Sequence, residues 1–307
     1  MPRRRSSPDP RNRLAVAAIL LAVGLVIFFQ HRLASRYIPS AGPEYNYLLG
    51  NPSQAVADSA HRDNLLIVKP YFALSYNNST GEPNWVSWRV TSSDLGNAPR
   101  KEDFDADNTL PADFQIITEH DYTGSGFDKG HMCPHGDRTA NNEMSFATFV
   151  MTNIIPQAPN VNRKAWAQLE VYCRELVRSG HHLYIVAGPD GQGGRGSHGA
   201  MVQCLHNGQI RVPAGCWKIV VVLNDEAGDD LARISPETRV IAVEMPNDNS
   251  AVGEEWAKFR TTVAQIEQRT GLKFFDKLTP EVAQKLECKR DDQYIAPPRP
   301  LMHGNGE

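Results

Sequence analysis

The chain of 307 residues carries 32 Lys and Arg against 35 Asp and Glu, a formal net charge of −3, and 41% of its residues are hydrophobic. This balance excludes a protein that coats nucleic acid through bulk positive charge, although it is compatible with a local basic groove. The length suffices for one large domain or two ordinary ones with a hydrophobic core. The charge is uneven, because residues 1–36 hold seven Arg and one Asp, which leaves 25 basic and 34 acidic residues in the remainder.

The first predicted element is a hydrophobic segment, Leu14–Phe29, which contains no charged residue and no proline. Sixteen residues are slightly few for a membrane span and suit the core of a signal peptide, while the flanking arginines could reach the headgroups. A cut after Ala34 would place Arg32 three residues before the cleavage point, which favours a retained anchor over a cleaved signal peptide. Both interpretations place the body outside the cytoplasm, either anchored to the membrane and facing the periplasm or exterior, or secreted.

The domain organisation follows from composition and hydrophobic pattern. We predict a basic start (1–13), the hydrophobic segment (14–29), a linker (30–45), one globular domain (46–288) and a loose tail (289–307). Alternating or continuous apolar runs predict strands at 65–69, 85–91, 146–151, 182–187, 209–212, 217–223 and 240–245. Helical patterns are found at 163–179, 253–269 and 280–287. The order predicts a mixed α+β fold, with Trp85 and Trp88 in the core rather than stacked on bases.

The five cysteines are compatible with an exported protein that contains between zero and two disulfides. No two of them form a CxxC pair, so the sequence does not support a structural zinc knuckle. Their spacing does not assign any bridge. The residues are Cys133, Cys173, Cys204, Cys216 and Cys288.

The densest group of titratable residues lies in the stretch FDKGHMCPHGDR, residues 127–138, which its glycines prevent from forming a regular helix. We predict a loop in which His131 is exposed, titrates near neutral pH and can take a proton from water. One alternative is a soft-metal site made of His131, Cys133 and His135 on one face of an extended segment. No fourth ligand stands at a characteristic spacing, which counts against that alternative.

A second group begins at Asn162, directly before the predicted helix at 163–179, with Glu170 eight residues later. On an α-helix the two would share a face about 12 Å apart along the axis. Asn162 could be only a helix N-cap, but an amide oxygen with a nearby carboxylate also suits Mg²⁺, Mn²⁺ or Ca²⁺ better than Zn²⁺. A histidine base, a hydrated hard cation and Arg100 together would be sufficient for phosphodiester hydrolysis.

The stretch 127–138, together with NIIPQ (153–157) and NRKAWAQLE (162–170), resembles the signature of the DNA/RNA non-specific endonucleases. In that family D-R-G-H is followed by N-x-x-P-Q and then by N-x-x-x-W-x-x-L-E. The similarity extends over about residues 45–285 and includes YIVAGP (184–189) and VPAGCWKIVVVL (212–223). It implies an α+β fold of the ββα-metal (His-Me finger) type with a central antiparallel or mixed sheet. It also implies an Mg²⁺ or Mn²⁺ cofactor, contact with DNA and RNA through the phosphate backbone, and 5′-phosphate products.

The resemblance also implies roles for individual residues. His131 would be the general base, Asn162 the direct metal ligand, and Glu170 a holder of metal-bound water. Arg100 would contact the phosphate or the transition state. The remaining two are supporting residues: Asn153 would orient His131 or the hydration shell of the metal, and Asp128 would position the motif loop.

Lys129 departs from the family pattern, which has Arg at this position. Lysine offers a point charge where arginine offers a planar fork to phosphate, and Arg138 could replace part of that contact. Two alternatives to the endonuclease interpretation follow. One is a metal phosphodiesterase that acts on small diesters, and the other is a non-catalytic, membrane-tethered nucleic-acid receptor.

Overall fold

The computed structural model describes residues 43–250 and 255–293. The predicted hydrophobic segment Leu14–Phe29, most of the predicted linker and most of the predicted tail lie outside these residues. Within the described ranges, no helix is both long and apolar enough to cross a membrane.

The described residues form thirteen strands, five α-helices and one π-helical turn. The strands, in chain order, are β1 (Leu65–Val68), β2 (Ala73–Asn77), β3 (Glu82–Val90), β4 (Asp128–His131), β5 (Ile154–Gln157), β6 (His181–Asp190), β7 (Gly194–Arg195), β8 (Met201–Val202), β9 (Cys204–Leu205), β10 (Ile210–Arg211), β11 (Gly215–Asn224), β12 (Arg239–Pro246) and β13 (Arg260–Thr261). The helices are α1 (Asn142–Ala147), α2 (Ala167–Arg178), α3 (Asp230–Arg233), α4 (Val263–Thr270) and α5 (Pro280–Glu287), and the π-helical turn (Val161–Trp166) leads directly into α2.

The largest sheet has seven antiparallel strands in the order β1-β2-β3-β6-β11-β12-β13. Its two faces pack into different hydrophobic cores. On β11, Trp217 and Ile219 pack on the side of α4 and α5, whereas Val220 packs on the side of Trp166 and α2. Because both faces are covered, β11 is apolar almost throughout, and its predicted position inside the sheet is confirmed.

The tryptophans of β3 confirm the same arrangement. Trp85 and Trp88 are fully buried on opposite faces of the sheet, as their odd spacing along the strand requires. Their indole N–H groups donate to the Ser53 hydroxyl and to the Asp137 carboxylate, respectively. Both residues therefore belong to the core and are not available to stack on bases.

A two-stranded antiparallel ribbon, β4–β5, lies apart from this sheet and continues into the π-helical turn and α2. The side chain of the buried Asn247 attaches this unit to the end of β12. Its Oδ1 accepts from the Ala158 N–H at 2.6 Å, and its Nδ2 donates to the carbonyls of Pro156 and Pro213, each at 2.9 Å. One carboxamide thus satisfies three backbone groups that have no strand partner at this point.

Two predicted elements are wrong. Residues 146–151 do not form a strand, because Asn141 caps α1 over Asn142–Ala147 and only Val150 makes an isolated bridge. Residues 154–157, for which no element is predicted, form β5 although they include Pro156, since a two-stranded ribbon tolerates a residue without an N–H. The helix predicted for 253–269 begins only at Val263, where the Thr262 side chain caps it, and part of that range lies outside the described residues. The other predicted strands and helices are confirmed within a few residues at their ends.

We predict that Asn247→Ala lowers the free energy of unfolding by about 3 kcal/mol, because it leaves buried backbone donors and acceptors without partners. Urea denaturation of the full chain, followed by tryptophan fluorescence, measures this loss. The control is Asn108→Ala at an exposed position, which should change stability by less than about 0.5 kcal/mol. Equal effects of the two substitutions would contradict the role given to Asn247.

Candidate active site

An open cleft of about 440 Å³ lies beside the β4–β5 ribbon. Four of the seven residues that the sequence singled out line it, and His131 packs against one of its walls. Short 3₁₀ turns at Glu119–Tyr122 and His135–Asp137 flank β4 in the sequence. The residues that line the cleft are Arg100, Phe104, Glu119, Tyr122, Thr123, Phe127, Asp128, Lys129, Asn162 and Arg163.

His131 is the last residue of β4 and is 8% exposed, so the predicted exposed loop histidine is wrong. Strand pairing with Ile154 turns the imidazole inward, where its ring lies 5.2 Å from Phe104 and 4.8 Å from Phe149 between centroids. Burial, with added repulsion from Arg100 and His135, lowers the pKa of His131 from 6.5 to about 3. Its Nε2 is buried and has no hydrogen-bond partner among the described residues.

Phe149 connects the imidazole to the predicted phosphate-binding arginine. Its ring is fully buried and meets His131 edge-on at an interplanar angle of 81°. The Arg100 guanidinium lies 5.0 Å from the centroid of the same ring, in cation–π contact. One aromatic side chain therefore places His131 and Arg100 next to each other, and within the described residues Arg100 forms no ion pair with a carboxylate.

Asp128 orients the side chain of Asn162. The Asp128 Oδ2 accepts from the Asn162 Nδ2 at 2.9 Å. Both carboxylate oxygens also accept from the Arg163 guanidinium, at 2.8 and 2.6 Å. Because the amide nitrogen is held by this carboxylate, the Asn162 Oδ1 is left without a hydrogen bond to any described residue, and the residue lines the cleft.

These donors fit a hard, hydrated cation better than a soft one. Asn162 offers a neutral oxygen, and no group of three or more His, Cys, Asp or Glu side chains in the described ranges could hold a metal ion. One protein oxygen with several waters is a common arrangement for Mg²⁺. Cys133 is fully buried, and the described residues contain no such group around it, so the His131–Cys133–His135 alternative is not supported.

Asn162 is not an N-cap, because it lies inside the π-helical turn, with its N–H donating to the Ala158 carbonyl at 2.9 Å. A π-helical turn contains more residues than an α-helical one and recurs at functional sites. The prediction that Asn162 and Glu170 share a helix face assumed α-helical geometry from Asn162 onward. Because Asn162 lies in the π-helical turn, the separation of about 12 Å along the axis does not apply. The predicted helix itself is confirmed from Ala167 to Arg178.

Glu170 makes its ionic contact with Lys218 of β11, whose Nζ lies 3.6 Å from the Glu170 Oε1. Lys218 is 1% exposed, and its ammonium lies 4.2 Å from the ring centroid of Trp166 and 5.5 Å from that of Trp88. Burial raises the pKa of Glu170, and the nearby Lys218 and Arg174 oppose that shift. Glu170 is not among the residues that line the cleft, and its contacts describe a partly buried carboxylate held by a buried lysine.

The Asn153 side chain makes no hydrogen bond to His131. Its Oδ1 accepts from the Cys133 N–H at 2.9 Å, and its Nδ2 donates to the carbonyls of Cys133 and Thr148 at 2.8 and 2.9 Å. The side chain is fully buried, and both Nδ2 protons are used within the protein. Asn153 therefore fixes the backbone two residues after His131, and any effect on the imidazole passes through that backbone.

Lys129 lies in the cleft and is held by a residue that the sequence analysis missed. Its Nζ lies 2.7 Å from the Glu119 Oε2 and 4.5 Å from the centroid of the Phe104 ring. Arg138 cannot take over its role, because it is 2% exposed and donates to the backbone carbonyls of Tyr71, Arg89 and Asp137. That part of the prediction is wrong.

The structure adds four residues that contact the predicted ones: Phe104, Glu119, Phe149 and Lys218. Phe149 fell within the run FATFVM, whose apolar pattern indicated only a strand. Lys218 is the one charged residue in the apolar run predicted as a strand at 217–223, and this pattern alone could have predicted a buried charge. Nothing in the local sequence marks Glu119, since its partner is ten residues away in a different element.

Comparison with known proteins agrees with this architecture. The profile of the family described as DNA/RNA non-specific endonuclease matches residues 50–281. A nuclease of Nostoc sp. (strain PCC 7120) is 46% identical over 281 residues, which cover 92% of this chain and 98% of that protein. The mitochondrial endonuclease G of Homo sapiens is 29% identical over 208 residues, which cover 66% of this chain and 67% of that protein.

A solved structure of an EndoG/EndoGI complex superposes with a TM-score of 0.64 and 22% identity, covering 80% of this chain and 96% of the matched one. At that identity the similarity supports the fold alone, a mixed α+β fold with a central antiparallel sheet. The profile match and the similarity to the Nostoc nuclease show the family independently of the structure. The chain belongs to the DNA/RNA non-specific endonuclease family and is a nuclease, a hydrolase that acts on nucleic acids.

Proposed function

We propose that the protein is a metal-dependent, sugar-non-specific endonuclease with ββα-metal architecture, which hydrolyses phosphodiester bonds in DNA and RNA and leaves 5′-phosphate products. The observation that carries the proposal is the carboxamide of Asn162, which Asp128 holds by its nitrogen in the cleft that Arg100 also lines. The base candidate His131 packs against Phe104 of the same cleft.

His131 supplies the proton acceptor. In the free protein burial lowers the pKa of the imidazole, so the ring is neutral and keeps a nitrogen lone pair that can accept a proton from a cleft water. Part of the lowering comes from the positive charge of Arg100. A substrate phosphate bound at Arg100 would offset that charge and raise the pKa of His131 when it has to take the proton.

Arg100 supplies the fixed positive charge for phosphate. Its guanidinium is exposed, and its contact with the Phe149 ring leaves the N–H groups free to donate to phosphate oxygens. Lys129 adds a second positive charge in the same cleft. Recognition through phosphate rather than base edges would make the enzyme indifferent to sequence and to the sugar, and would make binding sensitive to salt.

Asn162 would hold the metal directly and Glu170 would hold it through water, as the family pattern implies. A bound Mg²⁺ or Mn²⁺ would supply positive charge to the oxygens that become anionic during hydrolysis. The contribution of Asp128 is to keep the Asn162 amide nitrogen engaged so that its oxygen is available. Lys218 fixes the Glu170 carboxylate from the side of the sheet.

The same proposal includes export. The hydrophobic segment Leu14–Phe29 with arginines before and after it supports a protein that acts outside the cytoplasm, as a membrane-anchored or secreted nuclease. Such a location would bring the enzyme into contact with DNA and RNA from outside the cell.

The first test is cleavage by the full chain of supercoiled plasmid and of single-stranded RNA, with Mg²⁺ or with EDTA. We expect both substrates to be cut with Mg²⁺, no cutting with EDTA, and a loss of about 10²–10⁴-fold in rate for His131→Ala. The control His61→Ala, at an exposed histidine outside the cleft, should retain activity. Binding without cleavage would support the nucleic-acid receptor instead, and cleavage of small diesters alone would support the small-substrate phosphodiesterase.

A second test examines how Asp128 orients Asn162. Asp128→Asn removes the charge and the two-oxygen contact with Arg163, so we expect the Mn²⁺ concentration for half-saturation to rise about 10–100-fold. Isothermal titration of Mn²⁺ into the protein measures the affinity without relying on turnover. Asp113→Asn is the matched control, since Asp113 pairs with Arg62 and does not line the cleft. An unchanged Mn²⁺ affinity in Asp128→Asn would refute the positioning role.

A third test concerns the titration of His131. Because its pKa falls from 6.5 to about 3 on folding, the ring stays neutral in the metal-free protein between these values, whereas the unfolded chain becomes protonated. Stability from the neutral buried ring is therefore fully present above pH 6.5 and is lost as the pH falls towards 3. NMR of the imidazole protons should show no His131 titration between pH 5 and 8, with His131→Gln used to assign the signal. A midpoint near 6.5 would contradict the burial described here.

A further inference from the structure

The cleft is nearly charge-compensated in the free protein. Three basic residues line it, Arg100, Lys129 and Arg163, and two acidic ones, Glu119 and Asp128, so the lining carries a net charge of +1. Arg163 is paired with Asp128 and Lys129 with Glu119, which leaves Arg100 as the one lining cation without a carboxylate partner among the described residues. Phosphate can therefore reach Lys129 only by sharing or replacing the carboxylate that already holds it.

We propose that Glu119 sets the affinity of the cleft for nucleic acid: its carboxylate binds the Lys129 ammonium in the free enzyme and competes with a substrate phosphate for it. This inference rests on the proposed function, since it concerns phosphate binding in the same cleft. Glu119 is thus an affinity-determining residue, and Lys129 is the cation whose partner changes between the free and the bound enzyme.

The Lys129–Glu119 ion pair is exposed enough that replacing its carboxylate by a phosphate costs little free energy. The side chains of Lys129 and Glu119 are 28% and 26% exposed, and an ion pair that solvent reaches contributes little to stability. The hydrogen bond and charge of Lys129 lower the pKa of Glu119, so the carboxylate is ionised at neutral pH and holds the ammonium. A phosphate diester therefore faces a weak but charged competitor rather than a buried salt bridge.

Phe104 keeps the ammonium in the cleft during the exchange. The Lys129 Nζ lies over its ring, and the same ring packs against His131. An ammonium has three donors on a rotatable centre, so it can turn from a carboxylate to a phosphate oxygen without leaving the ring. A planar guanidinium held by the same carboxylate would have to break a fixed two-point contact, which gives the lysine a physical reason at this position.

The experiment compares the full-length wild type with Glu119→Gln, which keeps the size of the side chain and removes its charge. Binding of a fluorescein-labelled single-stranded DNA oligonucleotide is followed by anisotropy in EDTA, over a series of salt concentrations. We expect Glu119→Gln to bind about fivefold more tightly at low salt, with a log K against log salt slope steeper by about 0.7, because one more phosphate is neutralised. In Mg²⁺, KM should fall by a similar factor while kcat stays within about twofold, since the reacting groups are unchanged.

A double-mutant cycle separates partner exchange from simple repulsion. If Glu119 acts by holding Lys129, its substitution should have almost no effect on affinity or slope in a Lys129→Gln background. Asp113→Asn is again the matched control, because it removes one carboxylate from an ion pair outside the cleft. A full gain in the Lys129→Gln background, or an equal gain in Asp113→Asn, would overturn the inference.

The outcomes also distinguish this inference from the proposed function. If the wild type cleaves plasmid and RNA but Glu119→Gln binds DNA no more tightly, only the competitor role of Glu119 fails. If the wild type neither binds nor cleaves nucleic acid, the proposed function fails and this inference fails with it.

Discussion

The site depends on backbone hydrogen bonding by side-chain carboxamides. The ribbon that carries His131 has only two strands and does not join the seven-stranded sheet, so its ends lack the neighbours that a larger sheet would provide. Asn153 satisfies the backbone after β4, and Asn247 satisfies the backbone after β5. At the start of the helix, the Asn162 amide nitrogen donates instead to the Asp128 carboxylate at the first residue of β4. Three asparagines thus fix the two ends of the ribbon and the first helical turn relative to one another.

Aromatic rings position the charged groups of the site, as the asparagine side chains position its backbone. Phe149 and Phe104 enclose the His131 imidazole, and each also carries one cation of the cleft, Arg100 or Lys129. These ring contacts place the imidazole, the guanidinium and the ammonium close together in one part of the site. On the side of the sheet, Trp88 and Trp166 hold the ammonium of Lys218 in the same manner. Each of these cations therefore lies against an aromatic ring, and Lys129 and Lys218 are also paired with the carboxylates of Glu119 and Glu170.

Much of the fold could be predicted from hydrophobic period alone, and the errors share one cause. β3, β6, β11 and β12 are long and covered by cores, so their apolar runs are unambiguous. The short pieces around the site are set by tertiary contacts instead: β5 contains Pro156, α1 follows an Asn cap, and the helix opens with a π-helical turn. The order of the sequence motifs predicted that Asp128, His131 and Asn162 belong to one site, because a fixed spacing within a motif keeps the local backbone geometry. Burial of His131, the internal contacts of Asn153 and the Glu119 pair depend on residues distant in sequence, which a local pattern does not contain.

The two-sided sheet has a practical consequence for handling the enzyme. All five cysteines are free, and Cys133, Cys173 and Cys216 are buried. Cys288 is exposed and directly follows α5, whose apolar residues pack on the sheet face opposite to the one that carries α2 and the ribbon. A dye or a solid support attached through this thiol would be separated from the cleft by the whole thickness of the sheet, so the protein could be tethered without obstructing the entry of a polymer chain.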